Sequence, residues 1–480
     1  YRVAKSVNPG NGFTLYFFAK NGGKNMEKQK DNKLGIMEVN KLMLSMGIPM
    51  VISMVLQAVY NIVDSAFISN MAHNGEEALN ALTLAFPVQM FMVAISIGTG
   101  VGANALLSRS LGQGDKEKVN MTSGNAMFLG AVIYTVFLLF GIFGVNAYIS
   151  TQISNNLIKE MASDYLSICT NISFGIVFFA MFEKLLQSTG RSIFATIAQI
   201  TGAVTNVILD PIMIYGLLGC PEMGVKGAAY ATVMGQIISM VLGLVFHLKF
   251  NVEIKNNLKY CKLNKMIIKQ IYTIGLPAII AQALMSFMTY GLNIILVKLG
   301  ESYVTAYGLY YKIQQFILFA AFGLRDAITP IVSYNYGMGS KERVRKGVKC
   351  GLLYTTVVML VGFIALEIFA SPLSSIFGLS GETQRICISA MRVISVSFVF
   401  AGINIALQGV FQGINSGIPS LIISLLRQFV LVLPVAYSFT LVVKWNYSLD
   451  FLIWTTFIIA EVVTSIVAVI LFKKENIFSK

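Results

Sequence analysis

Long apolar runs recur along this chain, and each is long enough to cross a lipid bilayer as a helix. About 20 predominantly apolar residues suffice for one crossing, and only helices or closed barrels satisfy the backbone hydrogen bonds there. Hydrophobic residues make up 56% of the 480 positions and charged residues only 12%, whereas soluble chains usually carry about 25%. The sequence therefore predicts an all-α polytopic membrane protein. Reading the runs between charged breaks gives twelve spans, near residues 42–70, 80–108, 120–146, 163–187, 192–218, 226–248, 268–297, 303–333, 346–369, 386–411, 418–442 and 449–472.

Basic residues are concentrated in alternate connections between these spans. One set of connections, which includes Lys184, Arg191 and the central linker, holds 24 Lys and Arg residues, and the other set holds 5. Because basic loops stay on the cytoplasmic side, we expect both termini to be cytoplasmic, which requires an even number of spans. This pattern explains the net charge of +14 without a nucleic-acid partner. The short Lys- and Asn-rich loops favour a bacterial plasma membrane.

The chain also repeats a six-span unit. Gly112-Gln-Gly-Asp-Lys-Glu-Lys-Val follows span 2, and Gly337-Met-Gly-Ser-Lys-Glu-Arg-Val follows span 8, at an offset of 225 residues. Six is even, so the repeats share one orientation, as in transporters whose halves are related by an axis along the membrane normal. We predict two pseudo-symmetric six-helix lobes around a central cavity. The predicted organisation is an N-terminal extension and cytoplasmic tail without fixed structure (1–40), a first lobe of helices 1–6 (41–248), a basic cytoplasmic linker (249–267) and a second lobe of helices 7–12 with a short tail (268–480).

Two aspartates fall inside spans of the first lobe. Asp64 lies in span 1 and Asp210 in span 5, where Asn206 stands four residues earlier and so shares its helix face. An ionisable group inside a bilayer is costly and normally faces a cavity or a partner. Buried carboxylates beside amide and hydroxyl oxygens can hold a proton or a small hard cation such as Na⁺. The alternative is that each aspartate lies at a helix end and contacts the interface.

Other polar positions leave two interpretations open. Pro49, near the start of span 1, is either a bend packed against its neighbours or a hinge that lets the span change shape. Glu461 either pairs with an arginine of a neighbouring span, or Arg392 and Arg427 extend to the interface instead, which the length of an arginine side chain favours for either one alone. If arginines line the cavity, the substrate need not be purely cationic. The candidate polar network of the second lobe comprises Arg325, Asp326, Arg392, Arg427 and Glu461.

Several chemistries lack their sequence signatures. The five cysteines are scattered singly, without metal-ligand spacing, and no phosphate-binding G-x-x-x-x-G-K-[ST] motif occurs. No nucleophile and base stand in a recognisable arrangement. We therefore expect no enzymatic activity, no cofactor and no ATPase subunit. The expected partners are a small organic substrate and the lipid bilayer, with the protein working as a monomer.

Five motifs along the chain resemble signatures of the multidrug and toxic-compound extrusion (MATE) family. The resemblance extends from about Lys41 to Phe472. It implies a V-shaped pair of lobes that works by alternating access. It also implies a secondary antiporter that exports organic, often cationic, drugs or toxic compounds in exchange for H⁺ or Na⁺. The motifs are Asn61-Ile-Val-Asp64, Asn206-x-x-x-Asp210-Pro211, Gly227-Ala-Ala-Tyr-Ala-Thr232, Gln187-Ser-Thr-Gly190-Arg191 and Pro330-Ile-Val-Ser-Tyr-Asn335-Tyr-Gly337.

The resemblance also implies roles for individual residues. Pro49 matches the proline at which span 1 bends. The residues that line the cavity beside the cation site would be Gln57, Tyr60 and Asn61. The first-lobe cation site, which would also hold Na⁺, comprises Asp64, Asn206, Asp210 and Thr232.

One departure places the coupling site in the first lobe. Some family members carry an acidic residue in span 7, and here the run from Gln270 to Val297 has none. An alternative function is a flippase or exporter of a lipid-linked sugar or other amphiphile of the same wider superfamily, which the basic residues of the second lobe favour. A channel or a membrane enzyme are further alternatives, but neither an open ring of like residues nor a catalytic set is recognisable.

Overall fold

The computed structural model describes residues 32–71, 74–376 and 378–475, and nearly all of this chain is helical. Most of the extension predicted for residues 1–40 therefore lies outside the described residues. A π-helical turn (Leu426–Val430) joins α15 to α16. The α-helices are α1 (Lys33–Ile36), α2 (Val39–Ser69), α3 (Gly75–Gln113), α4 (Lys116–Phe143), α5 (Val145–Ser150), α6 (Asn156–Asn171), α7 (Phe174–Ser188), α8 (Ser192–Tyr215), α9 (Val225–Phe250), α10 (Lys265–Leu296), α11 (Glu301–Gly337), α12 (Lys341–Ile376), α13 (Gly381–Ser395), α14 (Phe398–Gly413), α15 (Gly417–Leu425), α16 (Val432–Trp445) and α17 (Leu452–Lys474).

Twelve membrane crossings fit these helices. In the described chain, ten helical segments are long and apolar enough to span a bilayer alone. The pairs α6–α7 and α13–α14 reach that length only together, and they bend by 45° and 51° at their breaks. The all-helical membrane fold predicted from the sequence is confirmed. The fourth span, predicted at 163–187, begins earlier, at Asn156. The first turn of α6 is polar, so it does not belong to the apolar run from which the span was predicted.

The duplication is visible in the backbone. The α6–α7 pair runs from Asn156 to Ser188 and the α13–α14 pair from Gly381 to Gly413, so both ends differ by 225 residues. The bend therefore belongs to the repeated unit. Positive φ angles recur at the same offset, at Gly114 (76°) and Gly339 (75°), and at Gly190 (83°) and Asn415 (68°).

In the described part of the molecule, hydrophobic packing between the two lobes is concentrated towards one face. This face carries α1, the α3–α4 turn, the central linker and the α11–α12 turn, and we call it the basic face. One core there combines residues of both lobes, including Met46, Ile331 and Val410. Towards the opposite face, Ile68 belongs to a core made by the first lobe alone and Tyr307 to one made by the second. The molecule is therefore closed at the basic face and divided beyond it.

Glycines permit the closest contact between the lobes. Gly112 of α3 lies against the backbone of Tyr334 in α11, and Gly337 of α11 lies against the backbone of Arg109 in α3. A Cβ atom at either glycine would clash with a carbonyl oxygen. The two contacts exchange under the 225-residue offset, so the pseudo-symmetry axis passes between α3 and α11. Small residues at crossings of this kind let membrane helices approach closely.

The segment before α2 is held by both lobes. Asn32 Nδ2 donates to the Thr189 carbonyl oxygen of the first lobe at 3.3 Å. Arg343 of the second lobe donates to the carbonyl oxygens of Leu34 and Met37 at 3.0 and 2.7 Å. Leu34 is fully buried. The prediction that residues up to 40 lack fixed structure is therefore wrong for residues 32–40, because Leu34 supplies an apolar anchor.

Neighbouring charges also act on this segment. Lys33 lies over Gly190, where its side chain occupies the space of a missing Cβ. Burial, together with the nearby Arg191 guanidinium, lowers the pKa of Lys33 to about 8. Arg191 itself pairs with Glu253 at 2.7 Å.

The linker between the lobes packs on the first lobe. Asn120 and Asn125 of α4 accept hydrogen bonds from the backbone N–H groups of Lys255 (2.7 Å) and Asn264 (2.9 Å). The connection predicted at 249–267 spans only residues 251–264, because α9 and α10 extend into it.

Lys184 requires a correction. The sequence places it among the basic residues of a connection, whereas it lies inside α7 with 1% of its surface exposed. Burial of a lysine requires a partner, and one is described below. Without Lys184, the connections on this face still carry more Lys and Arg residues than those on the opposite face.

We expect Gly102→Ala to destabilise the contact between the lobes. A Cβ at Gly102 of α3 would clash with the Ile271 carbonyl oxygen and lie 2.9 Å from Gly275 N. Overpacking of this kind costs about 1–3 kcal/mol, so the apparent Tm in detergent should fall. Gly308→Ala in α11 is the control, because it has open space around the new atom and the same gain in helix propensity. Equal Tm values for the two variants would contradict this packing.

Candidate functional site

Four polar residues from three helices meet inside the first lobe. Asn206 Nδ2 in α8 donates to Asp210 Oδ1 at 3.1 Å and to Thr232 Oγ1 of α9 at 3.4 Å. Asp210 is fully buried, and Asn206 and Thr232 are 2% and 6% exposed. Asp64 of α2 lines the same cavity as Thr232. The structure thus brings together the four residues of the predicted cation site.

The local sequence of α8 and α9 makes this meeting possible. Gly202 and Gly235 face each other, and a Cβ on Gly235 would lie 2.6 Å from the Gly202 carbonyl oxygen. The two helices therefore approach closely enough for Asn206 to contact α9. Pro211, which has no N–H group, cannot donate to the Val207 carbonyl. That free carbonyl lies one turn from Asp210 on the same helix.

The cluster carries unsatisfied acceptor oxygens. In the described part of the chain, Asp64 Oδ1, Asn206 Oδ1 and Asp210 Oδ2 are buried without a hydrogen-bond partner. Neither aspartate forms a salt bridge with a described basic residue. Buried carboxylates are normally paired or hydrogen-bonded. The negative charge of this cluster is therefore unbalanced, and its oxygen-only ligand set suits a proton or a hard cation.

Two cavities open onto the cluster. The smaller, of about 100 Å³, is lined by Asn206, Thr232 and Glu183. The larger, of about 370 Å³, reaches Asp64 and also borders Thr232. Its remaining walls are largely apolar, aromatic and sulfur-containing, among them Tyr60, Phe86, Met90, Met92 and Tyr165.

The other first-lobe predictions have mixed outcomes. Gln57 and Tyr60 line both cavities, and Gln57 Oε1 accepts a hydrogen bond from Gln199 Nε2 at 3.0 Å. Asn61 lies in α2, but its side chain lies outside the described residues. Pro49 is buried within an unbroken α2, next to the stretch that Gly323 contacts. Its role as a hinge remains a prediction.

Comparison with known proteins now identifies the family. The MatE family model matches residues 49–212 and 277–438, one match in each lobe. The chain belongs to the MatE family. The multidrug export protein MepA of Staphylococcus aureus is 25% identical over 450 residues, which cover 92% of this chain and 96% of the relative. MepA of Staphylococcus saprophyticus is also 25% identical, over 447 residues, with the same coverage.

Solved structures show the same fold. An outward-facing multidrug resistance MATE transporter of the MOP superfamily is 24% identical, with a TM-score of 0.86 over 94% of this chain and 98% of that one. A MATE protein in complex with MaL6 is 25% identical, with a TM-score of 0.86 over 94% and 99%. A MOP superfamily transporter from Pyrococcus furiosus, described by the reverse polarity of its binding pocket, is 25% identical, with a TM-score of 0.85 over 95% and 100%.

The second lobe of this MatE protein contains a buried ion pair. Arg427 donates to Glu461 Oε1 through Nε at 2.9 Å and through Nη2 at 2.7 Å. Asn404 Nδ2 donates to Glu461 Oε2 at 2.7 Å. Arg427 stands in the π-helical turn, which points it towards α17. Of the two interpretations left open for Glu461, the structure therefore shows pairing with an arginine of a neighbouring span.

The predicted second-lobe network is not continuous. Arg325 donates to Asp326 Oδ1 at 3.1 and 2.9 Å, in a cluster separate from the Arg427–Glu461 pair. Arg392 lies exposed on α13 and forms no salt bridge among the described residues. Its inclusion in the network is wrong, because position 392 lies on the exposed face of its helix.

The sequence interpretation missed two charged residues of this MatE protein. Lys184 Nζ of α7 lies 2.7 Å from Asp326 Oδ2 of α11 and donates to Gln187 Oε1 at 3.1 Å. Gln187 Nε2 in turn donates to Glu183 Oε1 at 2.7 Å. The available signal was an adjacent Glu and Lys inside the otherwise apolar run of α7.

We expect Glu461→Gln to destabilise the second lobe strongly. The change leaves Arg427 buried without a counter-charge, which typically costs about 3–5 kcal/mol. The double variant Arg427→Met with Glu461→Met removes both charges and should be closer to wild type in Tm. A double variant that loses as much stability as Glu461→Gln would contradict this interpretation.

Proposed function

We propose that this MatE protein is a secondary antiporter that exports organic cations in exchange for H⁺ or Na⁺ by alternating access. The observation that carries the proposal is that Asp64 and Asp210 each have a buried carboxylate oxygen without a hydrogen-bond partner and have no basic partner among the described residues. Such a pair requires a cation from outside the protein. The membrane fold and the names of the curated relatives, which are multidrug export proteins, support the proposal.

Antiport follows when two cations compete for one site. Two carboxylates that serve one cluster repel each other when both are charged, and one bound positive charge relieves that repulsion. A proton can bind a carboxylate directly, whereas Na⁺ would also use the oxygens of Asn206 and Thr232. The cationic group of a substrate approaches the same Asp64 through the larger cavity. Occupancy by one cation therefore weakens binding of the other, and each ligand shifts the conformational equilibrium by its difference in affinity between the states.

The larger cavity suits a flat organic cation. Tyr60, Phe86 and Tyr165 offer aromatic faces to a positive charge, and Met90 and Met92 adapt to ligands of different shape. Asp64 supplies the counter-charge at one end. The other polar side chains of the lining, such as Gln57, Gln89 and Gln236, are uncharged, so Asp64 is the charged group that the described lining offers to a substrate.

The balance of charge disfavours the flippase alternative. Within the described chain, Arg325 and Arg427 are each paired with a carboxylate, whereas Asp64 and Asp210 are not paired with a base. The net charge available to a substrate is thus negative in the first lobe and balanced in the second. A lipid-linked phosphate would need the opposite arrangement.

The proposal also includes the orientation of the protein in its membrane. The positive-inside rule assigns the basic face to the cytoplasm, so the closed face is cytoplasmic and the divided face is external. The relatives are staphylococcal proteins, which supports a bacterial plasma membrane. The proposed transporter works as a monomer and without an ATPase subunit.

We expect Asp210→Asn to abolish gradient-driven efflux while the protein still folds. Ethidium efflux from proteoliposomes is measured separately under a pH gradient and under a Na⁺ gradient. Wild type should respond to one of them, and the variant should efflux no faster than protein-free liposomes under the same gradient. Asp164→Asn is the control, because Asp164 is part of a surface pair with Lys226. Wild-type efflux by Asp210→Asn, or no wild-type efflux under either gradient, would contradict the proposal.

Competition at Asp64 provides an independent measurement. The apparent Kd of ethidium for wild type, read from fluorescence polarisation, should rise as the coupling ion is added. Asp64→Asn should bind ethidium at least about tenfold more weakly, and the ion should no longer change that Kd. An ion-dependent Kd in Asp64→Asn would show that the two cations do not share this carboxylate.

A further inference from the structure

Four charged side chains lie together at the closed interface between the lobes. Glu183 and Lys184 belong to α7 of the first lobe, and Arg325 and Asp326 belong to α11 of the second. The side chains of Lys184 and Asp326 are 1% and 3% exposed, and that of Arg325 is 15% exposed. We call these residues the interface quartet. Its two positive and two negative charges balance.

One ion pair of the quartet crosses from lobe to lobe. Lys184 Nζ lies 2.7 Å from Asp326 Oδ2, and the pair lies inside the interface, away from the surface. Because water is excluded there, the attraction is far stronger than at an exposed site. The pair therefore adds to the apolar core that closes the basic face.

Each member of that pair also has a partner within its own lobe. Lys184 Nζ lies 3.6 Å from Glu183 Oε1, and Asp326 Oδ1 lies 2.9 Å from Arg325 Nη2. If α7 and α11 moved apart, the quartet would divide into two neutral pairs. No charge would be left unpaired in the low-dielectric interior, which is the costly outcome when a buried ion pair breaks. We call Glu183 and Arg325 the reserve partners. In an interface that never separates, they would not be needed to balance the charges of Lys184 and Asp326.

The surroundings of the quartet fit separation. Gly100 of α3 leaves room for the Lys184 stem, whose Cγ lies 2.8 Å from the position of a Cβ. Glu183 lines the first-lobe cavity that also borders Asn206 and Thr232. Arg325 lines a small polar cavity of about 20 Å³ between the lobes. Each reserve partner therefore faces space that can admit water.

We infer that the Lys184–Asp326 pair is the latch that holds the basic face closed, and that Glu183 and Arg325 receive its two charges when that face opens. This inference rests on the proposed alternating access, because a protein that never opened at the basic face would need no latch. Lys184 and Asp326 stabilise the closed state. Glu183 and Arg325 stabilise the open one, so removing a member of each set should have opposite effects.

The test measures the distance across the basic face. Spin labels at Lys116→Cys in α4 and Lys349→Cys in α12, both exposed positions, are introduced after the five native cysteines are replaced. Double electron–electron resonance is recorded in nanodiscs without substrate. Lys184→Met and Asp326→Asn should each increase the population at long distance. Glu183→Gln and Arg325→Met should each reduce it and slow efflux.

Charge reversal separates a latch with reserve partners from a simple salt bridge. The double variant Lys184→Asp with Asp326→Lys restores the pair between the lobes but places like charges side by side within each lobe. It should stay closed and fail to transport. Reversing all four residues, with Glu183→Lys and Arg325→Glu added to Lys184→Asp and Asp326→Lys, restores both arrangements. The fourfold variant should recover wild-type distances and a measurable part of the efflux.

Controls keep the outcomes distinct. Lys226→Gln breaks a surface pair within the first lobe and should leave the distance distribution unchanged. Wild-type distributions in both Lys184→Met and Asp326→Asn would overturn the latch, as would transport at the wild-type rate by the double reversal. If Lys184→Met does not fold, the opposite shifts in Asp326→Asn and Glu183→Gln decide the question. The distance measurement uses neither substrate nor gradient, so it can succeed even where the efflux assay rejects the antiporter.

Discussion

The cost of an unpaired charge inside a membrane protein organises this structure. In the second lobe, Arg427 and Glu461 satisfy each other, and at the interface Lys184 meets Asp326. The first-lobe aspartates are the exception among the described residues, since Asp210 receives one amide hydrogen bond and no basic partner. A folded protein retains such an imbalance only where something else supplies the charge during its function. The asymmetry between the lobes is thus chemical, although their backbones repeat.

The repeat determines the backbone that the two lobes share, but it does not determine which polar side chains each lobe carries. Gln187 and Gln412 occupy matching positions, yet Gln187 bridges Glu183 and Lys184, whereas Gln412 hydrogen-bonds to the neutral side chains of Thr329 and Ser420. The bent spans and the glycine crossing of α3 with α11 are shared by both halves. Duplication therefore explains why the lobes pack symmetrically, and later substitution explains why the Asp64 and Asp210 carboxylates lie in the first lobe.

Much of this structure follows from the sequence alone. Apolar runs and the 225-residue offset predict the spans and the lobes, because both depend on local pattern. Asp64 and Asp210 stand out because a charge in mid-span is rare. Lys184 could not be placed in the same way, because its partner comes from a helix of the other lobe and its position near a span end fits a loop equally well. The prediction for Arg392 was wrong for a related reason. Which face of α13 is exposed depends on which helices pack against its other face.

The segment before α2 acts as a strap across the basic face. It is tied to the first lobe through Asn32 and to the second through Arg343, although it precedes the first lobe in the chain. Lobes that part at this face must release one of those two attachments. The hydrogen bonds of this strap therefore depend on how the two lobes lie relative to each other. A bulky domain fused just ahead of Asn32 would therefore act directly on the contact between the lobes. A domain attached after α17 would not, because α17 does not cross between the lobes.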